Sequence, residues 1–128
     1  MNIKTHAQIS ADLCGTPLEL AEGFCRVKMR TLPQMQADAE GLVHGGFVFG
    51  MADYAAMLAV NHPYVVLGGA ESKFIKPVRV GDELEAEARV TESSGRKSRV
   101  AVTVTRNGEE VMTGVLTCFT LDKHVLAD

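Results

Sequence analysis

Asp53 draws attention because of its neighbours. From Phe47 to Val60 the residues are apolar or small on nearly every face, Asp53 and Tyr54 being the exceptions. Such a run reads as a helix buried all round. About 16 residues give roughly 24 Å of helix, too short for a comfortable bilayer span. A carboxylate inside it is costly unless it is paired, hydrogen-bonded or protonated. That cost also makes it a candidate base or nucleophile. The preceding segment, Gly41-Leu42-Val43-His44-Gly45-Gly46, reads as a glycine turn feeding the helix. A helix start offers unpartnered N–H groups and a positive dipole end. Glycine there lets a carbonyl oxygen approach unobstructed. Together these groups suit attack on a polarised carbonyl.

The flanking elements must position that stretch. Residues 6–13 are expected to form a short helix, ended by Gly15 and Pro17. Residues 18–31 read as one strand, with Cys25, Val27 and Met29 alternating against Arg26, Lys28 and Arg30. Gln34 to Glu40 is a polar loop. Asn61-His62-Pro63 ends the helix, because the residue before proline avoids the α region. A strand runs from Val65 to about Val78, and Gly68-Gly69 within it predicts a bulge or close backbone approach. Three strands follow. Leu84, Ala86, Ala88 and Val90 alternate with charged residues, Val100, Val102 and Val104 form a second set, and Val111 to Leu121 a third. Asn107-Gly108 is a strong hairpin signal, and the tail from Asp122 is expected to fray. The order is strand, long helix, then four mostly antiparallel strands, an α+β domain with one sheet face left free.

The 128 residues suit a single domain, residues 1–128. Apolar content of 46% and charged content of 23% are those of an ordinary soluble protein. A net charge of −3 and no Lys/Arg run argue against nucleic-acid binding. Cys14, Cys25 and Cys118 are odd in number and widely spaced, which implies neither a disulfide framework nor a metal site. They read as small buried hydrophobes. Met1 to His6 lacks the apolar core of a signal peptide, so a cytoplasmic setting is expected. His6, His62 and His124 have no partner at metal spacing and are read as surface residues.

The stretch and the element order resemble the hotdog-fold acyl-CoA thioesterases, and most of all the phenylacetyl-CoA thioesterase-like and 4-hydroxybenzoyl-CoA thioesterase-like group. There an antiparallel sheet, here of about five strands, wraps one long helix. The group's His-Gly-Gly followed by an acid nine residues after the His is matched by His44-Gly45-Gly46 and Asp53. Ala52-Asp53-Tyr54-Ala55-Ala56 is similar to its helix segment. Phe74-Ile75-Lys76-Pro77-Val78-Arg79-Val80-Gly81-Asp82 is similar to its aromatic-x-x-Pro-x-x-x-Gly-Asp strand end. The resemblance spans roughly residues 18–121.

It implies a cofactor-independent, metal-free hydrolase of an acyl or aryl thioester of CoA or of acyl carrier protein. Asp53 would be general base or nucleophile, and the Gly45 N–H would polarise the carbonyl. Gly45 and Asp53 lie eight residues apart, roughly 12 Å along a helix. One thioester carbon cannot touch both in one chain. The resemblance therefore implies a homodimer with sites across its interface, and a homotetramer built on that. Relatives often carry Asn or Gln six residues before the His, whereas this chain has Asp38. Asp38 is then a second acid, or the loop is shifted. His44 and Gly46 are candidate substrate contacts or turn formers, and Tyr54 a packing or substrate-wall residue. Lys73 and Lys76, with Arg96, Lys97 and Arg99, are candidates to meet CoA phosphates. Two rivals stand beside this reading. One is a non-catalytic acyl-CoA-binding module like the hotdog regulators of lipid synthesis. The other is a hotdog hydratase or dehydratase, whose motifs His44-Gly45-Gly46 does not fit.

Overall fold

The computed structural model describes residues 1–128. After a strap of residues 2–9 come a short helix α1 (Ala11–Cys14) and the strands β1 (Thr16–Ala21) and β2 (Phe24–Arg30). The long helix α2 (Gly45–Val60) follows, then β3 (Val65–Phe74), β4 (Glu83–Ser94), β5 (Lys97–Arg106) and β6 (Glu109–Thr120). All six strands form one antiparallel sheet in the order β1-β2-β4-β5-β6-β3. α2 lies against one face of this sheet, which is the hotdog arrangement.

The sheet has one strand more than expected, because residues 18–31 do not run straight. They turn at Glu22-Gly23, where Gly23 has φ 70°, and Ala21 pairs with Phe24. Pro17 is tolerated because β1 is an edge strand. The helix expected over 6–13 is instead a single turn from Ala11 to Cys14. His6 interrupts it with a left-handed φ of 55°. β3 stops at Phe74 rather than Val78, since the N–H groups of Ile75 and Lys76 both turn to the Val111 carbonyl. Residues 78–80 pair with the turn before α2 instead: Val43 N–H donates to Val78 O, and Val80 N–H to Gly41 O.

The glycine expectations hold. The β3–β6 register slips between Leu67 and Gly69, so Gly68 is the extra residue of a bulge. A Cβ there would lie 2.3 Å from the Phe119 ring, which only glycine avoids. Asn107 and Gly108 take φ 52° and 79°, as a tight hairpin turn requires.

α2 owes its position to its thinness and its apolar surface. Met51, Met57 and Leu58 are at most 1% exposed, and each contributes about 1.5–3 kcal/mol by burial. Ala52, Ala55, Ala56 and Ala59 let the sheet close on the helix. From the sheet come Val27, Leu84, Ala86, Val100, Val102 and Leu116, all at most 2% exposed. The opposite face of β4 presents Glu83, Glu85, Glu87 and Arg89 to solvent. Asn61 ends the helix in a left-handed cap (φ 50°, ψ 49°), its N–H donating to Met57 O at 2.8 Å. The stop is thus the Asn cap, two residues ahead of Pro63. No helix is long and apolar enough to cross a membrane.

The Pro77–Asp82 corner is tied by side chains. The Thr31 hydroxyl, buried, lies 2.7 Å from Arg79 O and 3.1 Å from Asp82 O. Asp82 Oδ2 accepts from Arg79 N–H and from Arg106 Nη1, which also donates to Pro77 O. This corner holds residues 78–80 against the turn that launches α2.

Candidate active site

His44 precedes the helix in an extended conformation (φ −63°, ψ 130°), and its N–H donates to Met35 O. α2 then begins at Gly45. The N–H groups of Gly45 and Gly46 have no acceptor in the chain. They point out of the helix at its positive end, as oxyanion donors must. Space around them is limited. A Cβ at Gly45 would touch the Phe74 ring at 3.5 Å, and one at Gly46 would press on the His44 ring at 3.0 Å. An open groove of about 240 Å³ passes Gly45 and is lined mainly by Val43, Val48, Phe74, Ile75 and Pro77. A larger groove of about 630 Å³, by Thr16, Lys28 and Glu83, contains neither Gly45 nor Asp53.

Asp53 sits two turns further along. Its Oδ1 is buried and has no hydrogen-bond partner. Burial pushes its carboxyl above the usual range, and the His6 charge opposes that shift. Such a carboxylate is poorly solvated and therefore basic. Cys14 and Cys118 sense the same charge, and burial holds Cys118 and Cys25 up at about 11, so those thiols are inert.

The other expected residues are dispersed. Asp38 is exposed, and its Oδ1 accepts from Glu40 N–H at 2.9 Å and Leu42 N–H at 3.2 Å. It braces the loop before α2. Tyr54 is buried at 5% exposure, a core residue in this chain. Lys73 is exposed at the far end of β3. Lys76 pairs with Glu109 at 2.8 Å, Arg96 with Asp122 at 2.6 Å, and Arg99 approaches Glu92 at 3.9 Å. No group of three His, Cys, Asp or Glu side chains is placed to hold a metal ion.

One expectation is overturned. His6 is not a surface residue. It is half-buried, its ring centroid lies 6.4 Å from that of Tyr54, and burial lowers its pKa, a shift that the charge of Asp53 opposes. Local sequence hides this, because the strap is held by contacts some sixty residues away: Lys4 N–H donates to Asn61 Oδ1, and Asn61 Nδ2 to Asn2 O. The signal in the sequence was Asp53 itself, a buried acid that lacks a partner on its own helix.

The chain is similar to several known proteins. Over 123 residues, 95% of this chain, it is 50% identical to a protein of Aquifex aeolicus named methylthioribose-1-phosphate isomerase. The match covers 27% of that protein. It is 32% identical over 82 residues, 64% of this chain, to the transcription factor FapR of Shouchella clausii, covering 43% of it. The chain thus spans between a quarter and a half of these curated relatives. Among solved structures, an uncharacterized protein, PH1136 of Pyrococcus horikoshii, superposes with a TM-score of 0.98 at 50% identity, over 99% of this chain and 98% of that one. A mutant of the phenylacetic acid degradation protein PaaI of Thermus thermophilus gives 0.79 at 30% identity, over 85% and 95%. The profile of the thioesterase superfamily matches residues 40–113, the turn, α2 and the strands up to β6. By that match the chain belongs to the thioesterase superfamily.

Proposed function

We propose that the protein hydrolyses an acyl or aryl thioester of CoA, or of acyl carrier protein, to the free acid and the thiol. The observation that carries this reading is the half-buried Asp53, whose buried Oδ1 has no partner, on a helix that opens with two free glycine N–H groups. The thioester oxygen would lie at the Gly45 N–H. Asp53 would take a proton from water as it attacks the carbonyl carbon, or attack that carbon itself and form an anhydride. Both routes need Asp53 ionised. In the first route that proton passes to the thiolate as the C–S bond breaks; in the second the thiolate leaves as the anhydride forms, and water then cleaves the anhydride to the free acid and Asp53, supplying the proton that the thiolate takes up.

The two groups come together across a dimer. β3 is an edge strand with its outer side unpaired, and an open edge is a template for another chain. Leu67, Phe74 and Ile75 on and beside it are 37%, 55% and 48% exposed. Pairing two copies there brings their α2 helices alongside, Gly45 of one near Asp53 of the other. The free faces of two such dimers would then complete a tetramer.

The test is a panel of acyl- and aryl-CoA esters assayed by thiol release, with Asp53→Asn as control. Asp53→Asn should lower turnover at least roughly a hundredfold and leave ester binding largely intact. An active Asp53→Asn protein would make Asp53 structural and sink the mechanism. The matches to transcription factors named FapR favour a second reading, a non-catalytic module, which here would bind an acyl thioester without turnover. Tight binding across the panel with no thiol released would establish that instead.

A further inference from the structure

The groove of about 240 Å³ beside Gly45 has a floor of valines. Val43, Val48, Val78 and Val111 are at most 5% exposed, so this floor is part of the core. Val48 lies one turn after Gly45, on the same side of α2. The Phe74 ring and the half-exposed Ile75 side chain form the wall. Floor and wall are tied together. Ile75 and Lys76 N–H both turn to Val111 O, Val43 N–H donates to Val78 O, and Arg106 Nη1 donates to Pro77 O.

A thioester whose oxygen lies at the Gly45 N–H sends two arms away from its carbonyl carbon. The arm on the sulfur side, in CoA and in acyl carrier protein alike, carries amides. The groove is ill-suited to it. No hydroxyl, amide or carboxyl side chain lines the groove. Its one charged side chain, Lys76, is held by Glu109 at 2.8 Å, and the N–H groups of Val43, Ile75 and Lys76 are spent on carbonyls of the chain. An amide or a carboxylate would find little there to replace its water, which is costly. Hydrocarbon gains by the same transfer. Volume adds a limit. Water takes about 30 Å³ in the liquid and a methylene roughly as much, so about eight carbons fit.

We propose that this groove receives the acyl arm of the thioester, an apolar group of up to about eight carbons, with Val48 and Ile75 as specificity-determining side chains. The proposal rests on the reading that places the thioester oxygen at Gly45. It narrows the substrate class to uncharged acyl groups of short to medium length.

The experiment is a series of straight-chain acyl-CoA esters, acetyl to dodecanoyl, with malonyl-CoA beside it. Affinity is read by calorimetry in Asp53→Asn, and kcat/KM by thiol release in the wild type. Affinity should rise roughly two- to fourfold per methylene up to about octanoyl and then level off. Malonyl-CoA should bind at least roughly tenfold more weakly than butanoyl-CoA. Val48→Ala, added to Asp53→Asn, removes two methyl groups from the floor and should move the break to about decanoyl. Ile75→Ala changes an exposed wall and tests the groove even if Val48→Ala folds poorly. It should weaken hexanoyl and octanoyl binding by roughly threefold or more and leave acetyl-CoA unchanged, with native mass spectrometry confirming the same assembly. Affinity that ignores chain length, or an Ile75→Ala loss equal for every ester, would overturn the groove assignment even if thioesters turn over. The predicted rise and break with no thiol released by the wild type would uphold the groove and sink the hydrolytic reading alone.

Discussion

A pair of dead variants should make a live enzyme. Gly45→Pro removes the N–H proposed to hold the carbonyl, and Asp53→Asn removes the proposed base or nucleophile. Proline should fit. His44 before it is already extended, the conformation proline demands of its predecessor. Position 45 opens the helix, where proline is favoured. The lost N–H has no acceptor in the chain, so no internal bond is broken. A Cβ there meets the Phe74 ring at an ordinary 3.5 Å. Each homodimer should retain about 1% of wild-type activity or less. In a mixed dimer, one site holds both lesions and the other holds Gly45 from one chain and Asp53 from its partner. Random remixing makes about half the dimers mixed, each with one intact site, so roughly a quarter of wild-type activity should return. That is on the order of twenty-five times the controls. The assay is thiol release after the two variants are unfolded and refolded together, against each refolded alone. Activity no higher than the controls, with mixed dimers seen by native mass spectrometry, would show that the site does not cross the interface.

Stability and turnover should part company at position 53. Burial raises the Asp53 carboxyl, so the folded state holds its proton more tightly than the unfolded chain does. The group is then neutral for stability at low pH, and becomes destabilising progressively as pH rises from its unfolded to its folded midpoint, reaching its full cost above the latter. Asp53→Asn should therefore gain about 0.5–2 kcal/mol at neutral pH, shrinking towards zero in acid. Urea melts at several pH values would show it, and a pH-independent difference would refute the assignment. Asp38→Asn keeps a side-chain oxygen for the Glu40 and Leu42 N–H groups, so the loop should hold and thiol release should be retained or raised. A folded but inactive Asp38→Asn would make Asp38 an essential acid.

The central helix was legible because its pattern is extreme. Gly45-Gly46, the apolar run and the misplaced Asp53 lie within twenty residues and carry both local structure and chemistry. β4 to β6 were legible for a similar reason, since alternation and Asn107-Gly108 are local signals. The hairpin in residues 18–31 was not. Glu22-Gly23 offers a single glycine, and side chains alternate on both sides of the turn. His6 was the deepest miss. Its strap is held by Asn61 and its ring lies over Tyr54, and no window around residue 6 contains either. At Asp38 the sequence offers a second acid or a shifted loop, and the loop N–H groups that occupy its oxygen become visible only when the turn closes.

The uniform apolar surface of α2 also governs how the chain is made. A helix with a polar side can wait in water, but this one cannot. Part of its cover, β2, is made before it; the rest comes from strands that follow, β4 and β5 above all, and the last of them, β6, ends about 60 residues after Val60. At ribosomal rates that is roughly 3–12 s during which a greasy segment has only part of its cover. The protein's most exposed moment is thus set by its gene order. The helix that organises the finished domain is, until β6 is complete, the segment most in need of a chaperone.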